Sequence, residues 1–349
     1  MRNVTIMSFR GSLRLWESPG TTFVSAQLID RLYQEIATSP LWGLLAMTCF
    51  GRITMLTKEQ LQEKIAGGLR FLDGATGSNL QKAGMPKGCC TEKWVLENSQ
   101  ILQNLQRAYA ASGSQILYAP TFQAQPIALE RVGLAGQTEE VNAKLVALSR
   151  AAAPDALIAG DITTLAAFCE SWNPENIDLL IENYRRQIRG LMDGGADLLV
   201  AETLMYPLEA EAIMAAADME GAGAVMYSFV MTADGSLFSG QDAVPVLKDL
   251  SENAAAVGFN CVAADMMTPY LVHKLAKEIR IPILCKPNAG NPVINAAGVP
   301  EYDMNPQEFA NILLDCHRSG ARLLGGCCGT TPEHIAALTK LFNNHIQRS

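Results

Sequence analysis

The sequence predicts an α/β fold, a (β/α)8 TIM barrel with an N-terminal extension, on three observations. Eight short apolar runs recur from residue 69 onward, and segments with apolar residues at helical spacing separate them. The first run is also followed by no glycine-rich phosphate loop of the kind an open doubly wound sheet carries.

The predicted strands are residues 69–73, 115–119, 157–161, 198–202, 224–229, 257–260, 281–285 and 322–325. Strand-like runs alternating with helical segments mark parallel strands joined by crossover helices, and eight units imply a closed ring. Ahead of the first run, Thr57 with Gln60 three positions on reads as a capped helix start. After it, Asp73-Gly74-Ala75-Thr76-Gly77-Ser78 holds only two glycines, at the wrong spacing for a dinucleotide fingerprint. Residues 174–193 and 305–319 carry apolar residues at helical spacing with Gly near their ends. Thr331-Pro332-Glu333 opens the last helix, which gives His334 a structural role in its first turn.

Residues 55–349 are assigned to the barrel and residues 1–54, which lack the repeat, to the extension. Met55 is a candidate natural start; equally, residues 1–54 form an accessory segment packed on the barrel, and the sequence leaves both open. Their most apolar stretch, residues 41–50, is too short to cross a bilayer and too far in for a signal peptide. The 349-residue chain is 49% hydrophobic and 18% charged, the balance of a soluble globular protein with no membrane partner. Its net charge of -8, without clustered Lys and Arg, excludes nucleic acid as a partner. Nine cysteines, an odd number with the vicinal pairs Cys89-Cys90 and Cys327-Cys328, speak against a disulfide framework and for a reducing cytoplasm.

A barrel builds its active site from the carboxyl ends of its strands. Read at those ends, the runs give Asp73, Thr121, Asp161, Glu202, Ser228, Cys261, Asn288 and Cys327-Cys328. Three cysteines therefore share one face. Three thiolates around zinc leave one position for a substrate, which is a catalytic arrangement. A vicinal cysteine pair alone is a weak signal, since buried cysteine usually acts as a small hydrophobe. Flanking Gly325, Gly326 and Gly329 strengthen it by letting backbone approach a bound atom. Cys89-Cys90 have no third thiol nearby in sequence, and Cys49, Cys169, Cys285 and Cys316 fall inside runs or helices where packing explains them. The four histidines lie in helix-patterned segments, so no Ser-His-Asp hydrolase is expected. Glu202 closes an apolar run, so its carboxylate requires a partner, and a ligand ammonium is one that fits.

These motifs resemble the homocysteine-binding methyltransferases, a family that includes the homocysteine modules of cobalamin-dependent methionine synthase and betaine-homocysteine methyltransferase. The resemblance runs from about Leu69 to about Leu338. Its most specific stretch is Gly325-Gly326-Cys327-Cys328-Gly329-Thr330-Thr331-Pro332-Glu333-His334, supported by Gly258-Phe259-Asn260-Cys261 and Lys286-Pro287-Asn288-Ala289-Gly290. Leu72-Asp73-Gly74-Ala75-Thr76-Gly77 and Ala201-Glu202-Thr203 also match. The resemblance implies a zinc ion on Cys261, Cys327 and Cys328, with the homocysteine sulfur in the remaining position. It places Glu202 and Asp73 at the amino-acid end, the backbone N–H groups of Gly74, Ala75, Thr76 and Gly77 on the carboxylate, and Thr121 and Asn288 in the pocket. Two departures stand out: Ala119-Pro120-Thr121-Phe122 replaces a Thr-Asn-Thr-Phe pattern, and Ile162-Thr163-Thr164 replaces a Gly-Pro pair.

The expected reaction is methyl transfer to the homocysteine thiol, giving methionine. A free thiol with a pKa near about 8.5 is only a few per cent thiolate at neutral pH, and zinc corrects that. The donor is a methylcorrinoid on a separate protein or a small methylated sulfonium or betaine. Two other readings stay open: a homocysteine-binding subunit without turnover of its own, and a metal-free barrel enzyme that grips phosphate at Gly325-Gly326.

Overall fold

The computed structural model describes residues 5–9, 12–16, 55–166, 177–295 and 300–346, and the chain divides into two compact units, Met1–Arg52 and Ile53–Ser349. In the first unit, Thr5–Phe9 and Ser12–Trp16 pair as an antiparallel hairpin in which Thr5 faces Trp16 and Phe9 faces Ser12. The sequence pattern assigned no element there.

In the second unit all eight apolar runs are strands: β1 (Arg70–Phe71), β2 (Ile116–Tyr118), β3 (Leu157–Thr163), β4 (Leu198–Leu204), β5 (Val225–Phe229), β6 (Ala256–Ala263), β7 (Ile283–Asn288) and β8 (Ala321–Leu324). They form one parallel sheet in the order β1-β8-β7-β6-β5-β4-β3-β2. A parallel bridge between Leu72 and Ile116, beside a 2.8 Å bond from the Gln115 N–H to the Phe71 carbonyl, joins β1 to β2 and closes the ring. The described residues thus form the expected (β/α)8 barrel.

Among the helices, α1 (Lys58–Ala66) precedes β1, and α2 (Ser99–Ala111), α3 (Thr138–Ala152), α4 (Ile177–Asp193), α5 (Pro207–Glu220), α6 (Ala243–Leu250), α7 (Thr268–Glu278), α8 (Pro306–Arg318) and α9 (Pro332–Ile346) each follow a successive strand. Shorter helical turns precede α2 and α3. The period of two along each strand sorts side chains between two cores. Leu198 and Val200 of β4 enter the barrel interior, while Leu199 and Ala201 pack outward against the helices.

The amino end of the barrel is plugged by α1. Thr57 and Gln60 form the expected capping box, and Leu61 and Ile65, four apart on one face, join the interior cluster. Burying each contributes about 1.5–3 kcal/mol. Backbone bonds stitch the same segment to the strands: Leu56 N–H donates to Asp197 O at 2.8 Å, and Ala224 N–H donates to Leu56 O at 2.7 Å. With that end plugged and the middle filled by aliphatic side chains, the carboxyl end is left to hold polar groups. At that end α9 starts where the sequence places it. His334 accepts from the Thr331 N–H at 3.2 Å through Nδ1, and its Nε2 lies 3.0 Å from the Met304 carbonyl, so it acts as a clasp.

Candidate metal centre and amino-acid pocket

Cys261 stands in β6, and Cys327 and Cys328 follow β8, on either side of β7 in the ring. Their three sulfurs lie within 4.8 Å of one another. Thiolates about 2.3 Å from a tetrahedral ion stand roughly 3.8 Å apart, so this set fits a metal with a fourth position left over. Local backbone distortion aims the first sulfur. Cys261 has φ 58°, and the β6–β7 register slips between Asn260 and Ala263, the mark of a bulge that re-aims a side chain. Thr203, at φ 60° in β4, lies at a matching slip between Ala201 and Leu204.

Hydrogen bonds fix the other two cysteines through their loop. Gly325 N–H donates to Cys285 O (3.2 Å), Gly326 N–H to Asp73 O (3.0 Å) and Cys327 N–H to Pro287 O (2.7 Å). Those N–H groups are spent on backbone carbonyls, which leaves the phosphate-gripping alternative without the donors it needs at Gly325-Gly326. The glycines are also needed for packing: a Cβ on Gly326 would clash with Thr330, and one on Gly329, at φ +80°, would clash with the Tyr302 ring.

Without a cation the three thiols share protons. Hydrogen bonds toward Cys327 and Cys328 keep Cys261 protonated, its pKa far above the usual thiol value. Donation from Cys261, then Cys327, with the Tyr302 hydroxyl adding to them, draws Cys328 down to about 3. Only a cation allows all three to ionise together.

Beside the sulfurs lies a pocket of buried charge. Asp73, Asp161, Glu202 and Lys286 are exposed by 1%, 5%, 7% and 3%. The Lys286 Nζ is 3.3 Å from Asp73 Oδ1 and 3.6 Å from Glu202 Oε2, and sits 4.1 Å over the Tyr118 ring. Asp73 Oδ2 accepts the Tyr118 N–H at 2.8 Å. Burial raises the Glu202 carboxyl to about 7 against the pull of Lys286. Burial also raises Asp161 well above its usual value, with Glu202 adding to the effect, and raises Asp73 against Lys286. Lys286 stays charged because Glu202 and Asp73 outweigh the penalty of its own burial. Three carboxylates thus face one lysine. Asp161 Oδ1 and Asn288 Oδ1 are buried acceptors without a donor among the described residues. Both can accept a hydrogen bond from a bound ligand.

The strand-end rule brings Cys261, Cys327, Cys328, Asp73, Asp161, Glu202 and Asn288 to one end of the barrel. Thr121, expected to contact substrate, is fully buried and turned away: its hydroxyl donates to Asp161 O (2.8 Å) and accepts from Asp161 N–H (3.0 Å). It fastens β3 instead. In the Gly74 to Gly77 turn, Ala75 N–H is already bonded to Thr330 Oγ1 at 3.0 Å. Cys90 approaches Glu92 at 3.3 Å, Cys89 is exposed, and Cys49 and Cys169 lie outside the described residues. Sequence reasoning missed Lys286, Asn260 and Tyr302. Lys286 carried a usable signal, a lysine closing an apolar run, which is the logic that found Glu202. Tyr302, on a loop without periodicity, carried none.

Comparison with known proteins adds an independent line. A family model described as homocysteine S-methyltransferase matches residues 70–342. The chain is 27% identical to the homocysteine S-methyltransferase of Escherichia coli over 291 residues, 77% of this chain and 93% of that protein. It is 28% identical over 309 residues to the methionine synthase of Mycobacterium leprae, 81% of this chain but only 25% of the synthase. The crystal structure of the Escherichia coli homocysteine methyltransferase in its metallated form superposes with a TM-score of 0.68 at 26% identity, covering 78% of this chain and 96% of that one.

Proposed function

The chain belongs to the homocysteine S-methyltransferase family, and from that premise we propose that it methylates the homocysteine thiol to methionine with zinc on Cys261, Cys327 and Cys328. The observation that carries this reading is the set of three sulfurs within 4.8 Å of one another at the mouth of the barrel. Zinc bound there supplies the charge that makes a thiol ionise at neutral pH. An all-sulfur set keeps the ion electron-rich, which suits alkylation better than hydrolysis.

The protein's own groups bind and orient the amino acid. Glu202 and Asp73, with Asp161 electrostatically linked to them, receive the ammonium, and the N–H groups of the 74–77 turn other than that of Ala75 take the carboxylate. Asn288 Oδ1, a buried acceptor without a donor among the described residues, lines the same pocket. The methyl donor is a methylcorrinoid carried by a separate protein, or a small sulfonium or betaine. The carried donor is favoured by the apolar rim of three successive loops, where Phe238, Met266, Val293 and Ile294 are exposed by 63%, 92%, 62% and 63%. We place the protein in the cytoplasm, in keeping with its unpaired cysteines; no helix among the described residues is long and apolar enough to cross a membrane.

The test is zinc content per chain in wild type and Cys327→Ala, purified under reducing conditions, with X-ray absorption before and after adding homocysteine. About one zinc per chain in wild type, lost in the variant, with one sulfur gained on adding homocysteine, is expected. A chain without zinc overturns the proposal.

A further inference from the structure

Lys286 interrupts the strand β7 sequence Ile283-Leu284-Cys285, where side chains are fully buried and apolar. A lysine in that place is tolerated only with counter-charge, and it finds that on two strands that are not neighbours in the ring: Asp73 after β1 at 3.3 Å and Glu202 in β4 at 3.6 Å. The Tyr118 ring beneath its Nζ, at 4.1 Å, fixes the third side. Among the described residues no other side chain bridges these two carboxylates, so the amine is the brace between them.

We propose that Lys286 is a positioning residue for the substrate ammonium: it holds Asp73 and Glu202 apart at a fixed spacing and supplies one of the two cations that the buried carboxylates require, leaving the place of the second for the amino acid. This rests on the functional reading above and deepens it, because it predicts which part of the substrate the lysine controls. Lys286 makes its ion pairs with the carboxylates, and its charge reaches the sulfurs only at longer range, through Cys327. Its loss should therefore weaken recognition of the amino group far more than it affects the thiol end. A lysine that merely supports the fold would affect both ends alike.

The experiment uses the zinc-loaded full chain and two thiols, homocysteine and 4-mercaptobutanoate, which keeps the thiol and carboxylate but has no amino group. Titration calorimetry with Lys286→Met is expected to show homocysteine binding weakened on the order of 30-fold or more, with 4-mercaptobutanoate changed by less than about threefold. Zinc content should stay at the wild-type value. Lys286→Arg, which keeps the charge, should recover most of the homocysteine affinity. If Lys286→Met does not fold, Lys286→Gln, which keeps N–H donors but no charge, carries the same comparison. Unchanged homocysteine binding overturns the proposal, and so does equal weakening of both thiols. Wild-type protein that binds neither thiol overturns this inference and the proposed function together.

Discussion

Asn260 ties three parts of the site together. It accepts from Ser228 Oγ and Thr203 N–H at 2.8 Å each, donates to Thr203 Oγ1 at 2.8 Å and reaches Glu202 Oε2 at 3.4 Å. Asn260→Ala strands buried donors on two strands, so it should cost about 1–3 kcal/mol in thermal or urea unfolding and raise the KM for homocysteine. An unchanged melting point would mean that water replaces the amide. Gly329→Ala combines a strained φ with a clash against Tyr302, a cost of about 1–3 kcal/mol, and should release the proposed zinc to a chelator sooner than wild type does. At this scale the sequence was legible where chemistry is rare in a given setting: cysteines at strand ends and a carboxylate closing an apolar run. It was illegible where a residue acts through distant partners, as with Thr121, whose hydroxyl is consumed by Asp161 across the β2–β3 gap.

The strands show why element ends were harder to read than element existence. Apolar runs at 157–161, 198–202, 257–260 and 281–285 continue as ladder to Thr163, Leu204, Ala263 and Asn288. Apolar patterning stops where polar site residues begin, but backbone pairing does not depend on side-chain polarity and carries on for two or three residues. The start of α1 was legible from Thr57 and Gln60, whereas its destination was not, because a short helix reveals its apolar face without naming what covers it. Leu61→Ala should cost about 2–5 kcal/mol in denaturant unfolding, while turnover per folded molecule at 25 °C stays near wild type. Equal stability would show that α1 is dispensable as a plug.

The buried charge makes the stability of the whole molecule depend on pH. Glu202 titrates near 7 in the folded pocket against 4.5 in its ordinary setting, so between those values the folded state holds a proton that the unfolded chain lacks. Stability from this group is complete below about pH 4.5 and is lost as pH rises through 7, and Asp73 and Asp161 shift in the same direction. Lys286, raised above its usual range, loses its contribution only at far higher pH. Glu139 and Glu220, lowered by Arg186 and Arg189, matter only on the acid side of that window. Calorimetric melting of the homocysteine-free protein should therefore fall by a few degrees from pH 5 to pH 8. Saturating homocysteine should flatten that slope, since its ammonium favours the ionised carboxylates. A slope unaffected by homocysteine would place the ammonium elsewhere.

Both ends of the described barrel leave from the plugged face. Met55 packs near Gly223 ahead of β5, and Phe342 in the last turns of α9 stacks edge-on to Phe71 at 5.6 Å. A solid support attached through the carboxyl-terminal end would thus hold the barrel with its sulfur-bearing end toward solution. Anchoring through Met266, on the rim, would turn the same catalyst face down.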